Sequence, residues 1–380
     1  MSTYSETFRA LRPTAQVVSV RRAHVEVRRG ARLGAGVMVP LALGVSLGHP
    51  QFGVFAALGA LTSGLAATTR ARPGQHARAV LLSSLGMAVS GFAGATLADR
   101  PWPLLAALIV TTYAAGLCGQ FSQRVGIAGL QWPVALLLAS TATGHPWLWA
   151  TLLLSGGAWQ ALLTAIDRHG EPEPESGFVS GSGFVSGSGF ESEPEFEDAA
   201  AYSAGRARTL RRLVARASIG LDPRAEPGQH VLRLTVVVAL TDVVAVLAGL
   251  PHGYWAAMTA LLVLKPGHAA TIRRSLDRIG GTACGVLLGV LLAGLAEAGA
   301  VPFLLVAAGT VWLAYAVFSA NYFVFCVFLS GFVVLLLDLL GHSAPDVALS
   351  RLVATALGGT MALAASHLRT STASARLEEC

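Results

Sequence analysis

The sequence predicts an all-α integral membrane protein of about twelve transmembrane helices, arranged as two parallel six-helix repeats, a pseudo-dimer within one chain. Three observations lead there. Of 380 residues, 53% are hydrophobic and only 13% are charged, about half the charge of an average globular chain. Apolar stretches near the ~20-residue length of a helical span recur along the chain. Segments of the first half also return in the second, in the same order. Period-two alternation is absent, which argues against barrel strands. The composition excludes disordered, collagenous and disulfide-rich secreted chains.

The elements follow in order. Residues 1–31 form an N-terminal arm with Arg9, Arg12, Arg21, Arg22, Arg28 and Arg29, and without the apolar core of a cleaved signal. Residues 32–166 hold six spans, near 32–48, 52–69, 79–98, 102–120, 126–142 and 147–166. Residues 167–229 break the pattern. Glu171-Pro-Glu-Pro-Glu, a Gly-Phe-Val-Ser-Gly-Ser repeat from Gly177 and Gly183, and further acids to Asp198 read as a flexible acidic linker. Arg206 to Ile219 reads as a basic helix on the inner membrane face or as a plain basic flank. Residues 230–367 hold six more spans, near 231–250, 253–267, 279–296, 301–318, 321–340 and 349–367; residues 368–380 form a tail. With the N-terminus inside, only Arg100 and Arg351 of the 27 basic residues fall on the outer side. Both termini and the linker are therefore expected in the cytoplasm, and the chain in a bacterial cell membrane. The arginines flank spans rather than forming one patch, so the bilayer, not nucleic acid, is the expected partner. Association with further copies of the chain is left open.

Arg32-Leu33 recurs as Arg233-Leu234, and Phe55-Ala-Ala-Leu-Gly-Ala-Leu61 as Trp255-Ala-Ala-Met-Thr-Ala-Leu261. Phe121-Ser122 recurs as Phe318-Ser319, Gly144-His145 as Gly341-His342, and Gly86, Ser90, Gly94 and Ala98 as Gly281, Gly285, Gly289 and Ala293. An even number of spans gives both halves the same direction, hence an axis along the membrane normal. Small residues every fourth position let helix backbones approach closely. The third and ninth spans are therefore expected to be central packing helices. Gly157, Ala161 and Ala165 in the sixth span match Gly358, Ala362 and Ser366 in the twelfth.

Charge inside a span needs a reason, and only the second half carries it. Asp242 sits near the middle of the seventh span. It reads either as a proton-coupling carboxyl or as a neutral group bonded to a neighbouring helix. Lys265, the only lysine, precedes Pro266-Gly267; it either attracts an anionic substrate or snorkels to the inner interface. Asp338 and Arg351 lie near the outer ends of their spans, as interfacial residues or as an ion pair at an outer mouth. Tyr254-Trp255 is an interfacial pair or an aromatic wall for a flat substrate. Arg233 and Arg278 complete the set of substrate-pathway candidates. His252, His268 and His342 fall in loops. Cys118, Cys284, Cys326 and Cys380 form no CxxC pair, so no disulfide framework, metal site or cofactor is expected. Walker A, HExxH and GxSxG patterns are absent, which disfavours an enzyme. The loop Arg70-Ala-Arg-Pro-Gly-Gln-His-Ala-Arg78 lacks the usual major-facilitator pattern.

Three stretches carry a resemblance: His230-Val-Leu-Arg-Leu234; Leu250-Pro-His-Gly-Tyr-Trp-Ala-Ala-Met-Thr-Ala-Leu-Leu-Val-Leu-Lys-Pro266; and Arg278-Ile-Gly-Gly-Thr-Ala-Cys-Gly285. Together they resemble the fusaric acid resistance (FUSC-like) and aromatic acid exporter family. That family shows Arg-Leu at the start of a span, a Tyr-Trp-Ala opening, an apolar run ending in Pro and an Arg-x-x-Gly-Thr-x-x-Gly start. This chain has one extra residue before Thr282. The resemblance implies a secondary exporter of small, often aromatic, organic acids, expected to be coupled to protons. A passive organic-anion channel and a non-transporting membrane scaffold are the alternatives.

Overall fold

Inside hydrocarbon, a chain must satisfy its backbone N–H and C=O groups internally, and this one does so with helices. The computed structural model describes residues 25–66, 73–166, 220–222, 224–296 and 299–378, with backbone alone for 73–77 and 368–378. The N-terminal arm to residue 24, the linker and basic segment over 167–219, and Cys380 lie outside the described residues. In chain order the helices are α1 (Val27–Ser46), α2 (Pro50–Ala66), α3 (Pro73–Thr96), α4 (Pro101–Phe121), α5 (Gln123–Ala139) and α6 (Pro146–Ile166). Then follow α7 (Glu226–Leu247), α8 (Tyr254–Val263), α9 (His268–Ala296), α10 (Ala300–Val317), α11 (Tyr322–Leu339) and α12 (Ala344–Glu378). No strand occurs among the described residues.

Eight helices are long and apolar enough to cross a membrane: α3, α4, α6, α7 and α9 to α12. The other four differ for visible reasons. Arg28, Arg29 and Arg32 occupy the opening turns of α1, α2 and α5 have 17 residues each, and α8 has 10. At 1.5 Å per residue α8 is about 15 Å long, half of a ~30 Å hydrocarbon core. The expected eighth span, 253–267, is thus a half-length helix followed by an irregular segment. Leu264 is extended at the end of α8. Pro266 then keeps Lys265 out of helical geometry and supplies no N–H. In the opposite sense, α9 begins at His268, well before the apolar run that predicted it, because Arg273, Arg274, Asp277 and Arg278 are helical too.

The same packing partners recur in the two halves. α3 lies against α5 and α6, as α9 lies against α11 and α12; α2 packs on α1 and α6, as α8 packs on α7 and α12. Between halves, α1 packs on α10 and α7 on α4. A Cβ on Gly30 would meet Ala316, and one on Gly116 would meet Val231. The turns agree as well. Gly48 after α1 and Gly249 after α7 both have positive φ, as do Gly144 before α6 and Gly341 before α12. Ser122 Oγ accepts from Val125 N at the start of α5, and Asn321 Oδ1 accepts from Val324 N at the start of α11.

Glycine sets the close approaches. In α3 a Cβ on Gly94 would lie 2.1 Å from Leu136 O; in α9 one on Gly285 would lie 2.3 Å from Val327 O. In the other pair of helices the register differs by one residue from the sequence reading. Gly156 meets Ala56 O as Gly358 meets Ala256 O, so Gly156, not Gly157, is the counterpart of Gly358.

These contacts predict that Gly94→Val lowers the thermal midpoint of the detergent-purified protein or abolishes the folded peak on size exclusion, since backbone must move by more than an ångström. Gly294→Val should leave both unchanged, because nothing lies within 4 Å of the added Cβ.

Candidate anion site in the second half

The break after α8 is held by side chains from two helices. Arg233 of α7 donates through Nη2 to Lys265 O at 3.2 Å and Pro266 O at 3.4 Å. Thr271 of α9 accepts from Lys265 N at 3.0 Å, and its hydroxyl lies 3.2 Å from Lys265 O and 3.0 Å from Gly267 O. Arg233 is therefore tied to the backbone of the break. Lys265 does not snorkel: it is buried within the protein, at 5% exposure.

From the break a row of cations runs into the bundle. Thr271, Arg274, Ser275, Arg278, Gly281, Thr282 and Gly285 make the buried face of α9, spaced three and four apart. Arg274 lies over the Tyr322 ring of α11, its Cζ 3.1 Å from the centroid. One turn on, Arg278 Nη1 is 3.7 Å from Cys326 Sγ, one turn beyond Tyr322. Arg351 of α12, at 1% exposure, lies over the Trp255 ring of α8, its Cζ 4.0 Å from the centroid. Tyr254 leans on Trp255, with centroids 5.1 Å apart. The charges are linked in sequence by Coulomb interactions: Lys265 with Arg274, Arg274 with Arg278, and Arg278 with Arg351.

Among the described residues, no carboxylate is a charged neighbour of Arg278 or Arg351. Asp277 pairs with the exposed Arg273 at 4.0 Å and is also in Coulomb range of Arg274. The titratable neighbours of Arg351 are Arg278, Tyr254 and Cys326, and those of Arg278 include Tyr322 and Cys326 but no acid. Asp338 is thus not brought to Arg351. Arg351 Nε and Nη1 and Arg278 Nε have no hydrogen-bond partner among the described residues. Stacking on an aromatic face is worth about 2 kcal/mol when desolvated. The penalty for burying an ion is several kcal/mol. Stacking alone therefore does not compensate Arg351, whereas an anion beside Arg278 and Arg351 would, through charge-assisted N–H donors. The Trp255 and Tyr254 rings offer an apolar wall beside it.

Asp242 stands apart. It is half-buried on α7, five residues before the end of the helix, or about 8 Å along the axis. It is nearer one end of α7 than the middle, and no hydrogen bond or ion pair to it is recorded among the described residues. Where the second half has Trp255 and Arg351, the first has an aromatic pair, Phe55 and Trp149, with centroids 4.4 Å apart. Arg274, Tyr322 and Cys326 are site residues absent from the sequence candidates. The i, i+4 spacing of Arg274 with Arg278, echoed by Tyr322 with Cys326, is the signal that marks them.

Beyond the row, His252 in the turn before α8 has a positive φ of 55°. Its ring lies 5.4 Å from that of His342 in the turn before α12. Burial, and secondarily the charge of His342, push the His252 imidazole below its ordinary value of 6.5. The folded state thus favours neutral His252, so its contribution is present at neutral pH and is lost as pH falls below 6.5 toward the lower folded value. Acidification from pH 7.5 to 5 should therefore speed amide exchange in the turns at 248–253 and 341–343, and His252→Gln should flatten that dependence.

Comparison with known proteins now bears on this half. Residues 237–365 match the family described as fusaric acid resistance protein-like. The resemblance is borne out: the match takes in two of its three stretches, Leu250–Pro266 and Arg278–Gly285, and runs on into α12. An inner membrane protein of Escherichia coli strain K12, YccS, is 30% identical over 151 residues, 40% of this chain and 21% of that protein. An uncharacterized Synechocystis protein is 34% identical over 149 residues, 38% of this chain and 19% of its own length. An uncharacterized Haemophilus influenzae protein is 32% identical over 137 residues, 35% and 18%. The chain thus spans about a fifth of the length of these curated relatives. No solved structure matches.

Proposed function

We propose that this membrane protein is a secondary exporter of small organic anions, with one anion site among α8, α9, α11 and α12. The observation that carries the reading is the pair Arg278 and Arg351, buried beside aromatic rings and with no carboxylate among their charged neighbours in the described residues. The fusaric acid resistance protein-like match over 237–365 supports export of organic acids. The relative named as an inner membrane protein supports the bacterial inner membrane as its place. The recurring packing partners and paired positive-φ glycines support two parallel six-helix repeats, with both termini cytoplasmic by the arginine asymmetry. Tyr254 and Trp255 wall the site, and Arg278 and Arg351 bind the anion. Lys265 draws it in, and Arg233 fixes the break that positions Lys265. Asp242 couples the movement to protons: a carboxyl within α7 that can be neutral or charged is a group whose occupancy can follow a pH gradient.

The test is a panel of aromatic and aliphatic acids in proteoliposomes under an imposed pH gradient. At least one acid should accumulate against its gradient. Asp242→Asn should insert and fold yet lose uphill transport while keeping downhill movement; unchanged gradient-driven transport by this variant would remove the proton role. Lys265→Gln should raise the apparent KM several-fold with a smaller effect on kcat, the pattern of lost binding. Flux through the native protein that ignores the pH gradient would identify a passive channel.

A further inference from the structure

We infer that the anion site is not emptied during transport, so that the protein works as an obligatory anion exchanger: one anion leaves as another takes its place. The inference rests on the anion-site reading above and concerns the stroke that reading leaves open, the return.

Arg278 and Arg351 are 3% and 1% exposed, on different helices, and within Coulomb range of each other. Like charges in a poorly solvated place repel strongly. No carboxylate is among the charged neighbours of either. Their partners are the Trp255 ring, the Cys326 thiol and the Tyr322 side chain, and Arg351 Nε and Nη1 and Arg278 Nε remain without acceptors among the described residues. A guanidinium cannot shed its proton to escape this situation. Neither side chain can reach water by simple extension, because both project into the interior from the buried faces of α9 and α12. A site-open state with no anion therefore carries two uncompensated cations, and the closed, empty state that a return stroke needs carries them in the driest surroundings. An incoming anion removes the penalty on both strokes. The first half adds nothing to this requirement, since Phe55 and Trp149 stand where the second half has Trp255 and Arg351. One anion per chain suffices.

Two measurements on the full-length protein test the inference. In neutral detergent, exchange into a medium whose only anion is dextran sulfate, too large to enter, should lower the melting midpoint by about 5 °C or more. Millimolar phosphate or benzoate should restore it. Arg351→Met should melt alike in both media, and no lower than the native protein in dextran sulfate, because the unpaired charge is gone. In proteoliposomes held at zero voltage and loaded with labelled phthalate, release into phthalate medium should exceed release into dextran sulfate medium by on the order of tenfold or more. Equal melting in the two media would overturn occupancy of the site, and equal release would overturn exchange while leaving export intact. Absence of release in every medium from vesicles loaded in turn with labelled phthalate, benzoate or succinate would overturn the export reading and exchange together.

Discussion

A guanidinium buried in an apolar bundle is the constraint around which the second half is arranged. Aromatic side chains and a thiol are brought to Arg274, Arg278 and Arg351, groups that take up part of the charge without being permanent counter-ions. Tyr322 lies under Arg274, Cys326 beside Arg278 and Trp255 under Arg351. A carboxylate in any of those places would neutralise the row for good, and a bound anion would then compete with it. On the proposed reading, partial compensation keeps Arg278 and Arg351 receptive to an anion.

The break after α8 serves the same end by a different means. A helix that stops about halfway through the hydrocarbon leaves carbonyls that must find donors inside the protein. Arg233 and Thr271 supply them. The released chain turns Lys265 inward rather than along a helix axis toward the interface. The helices around it come close enough to hold this geometry because glycine replaces side chains at the contacts: Gly281, Gly285 and Gly289 against α11, and Gly358 against α8.

Much of this was legible in the sequence. Apolar length located most helices to within a few residues, though not the start of α9 or the end of α12, since hydrocarbon leaves a chain few other options, and the repeated glycines located the close contacts of α3 and α9. The half-length α8 was legible only in part. Pro266-Gly267 signalled a break, but apolar content carried the expected span on to Gly267, past the last helical residue. The start of α9 was hidden for the opposite reason: a charged opening turn does not resemble a span, although it is helical. The site was harder. Tyr254, Trp255, Lys265, Arg278 and Arg351 were visible as polar or aromatic residues in apolar surroundings. Sequence position alone, however, placed Arg351 at a surface with Asp338, whereas the fold turns it onto Trp255. Arg274 looked like one more flanking arginine until its helix face was known.

The two-sidedness of the bundle has a genetic consequence. An assembly of two identical chains must carry any substitution twice, so a row of four cations would become eight around one axis. On the proposed two-repeat reading, joining two similar halves in one polypeptide removes that coupling. Each position can then drift without its mate, and Trp149 and Arg351 can occupy comparable places with opposite character. Charge can be concentrated where a ligand is handled and withheld where only shape is needed. The first half is then free to vary in any way that preserves its contacts, Gly30 against Ala316 and Gly116 against Val231 among them. If the proposed anion site is confined to the second half, sequence divergence should be unequal, faster over 32–166 than over 230–367.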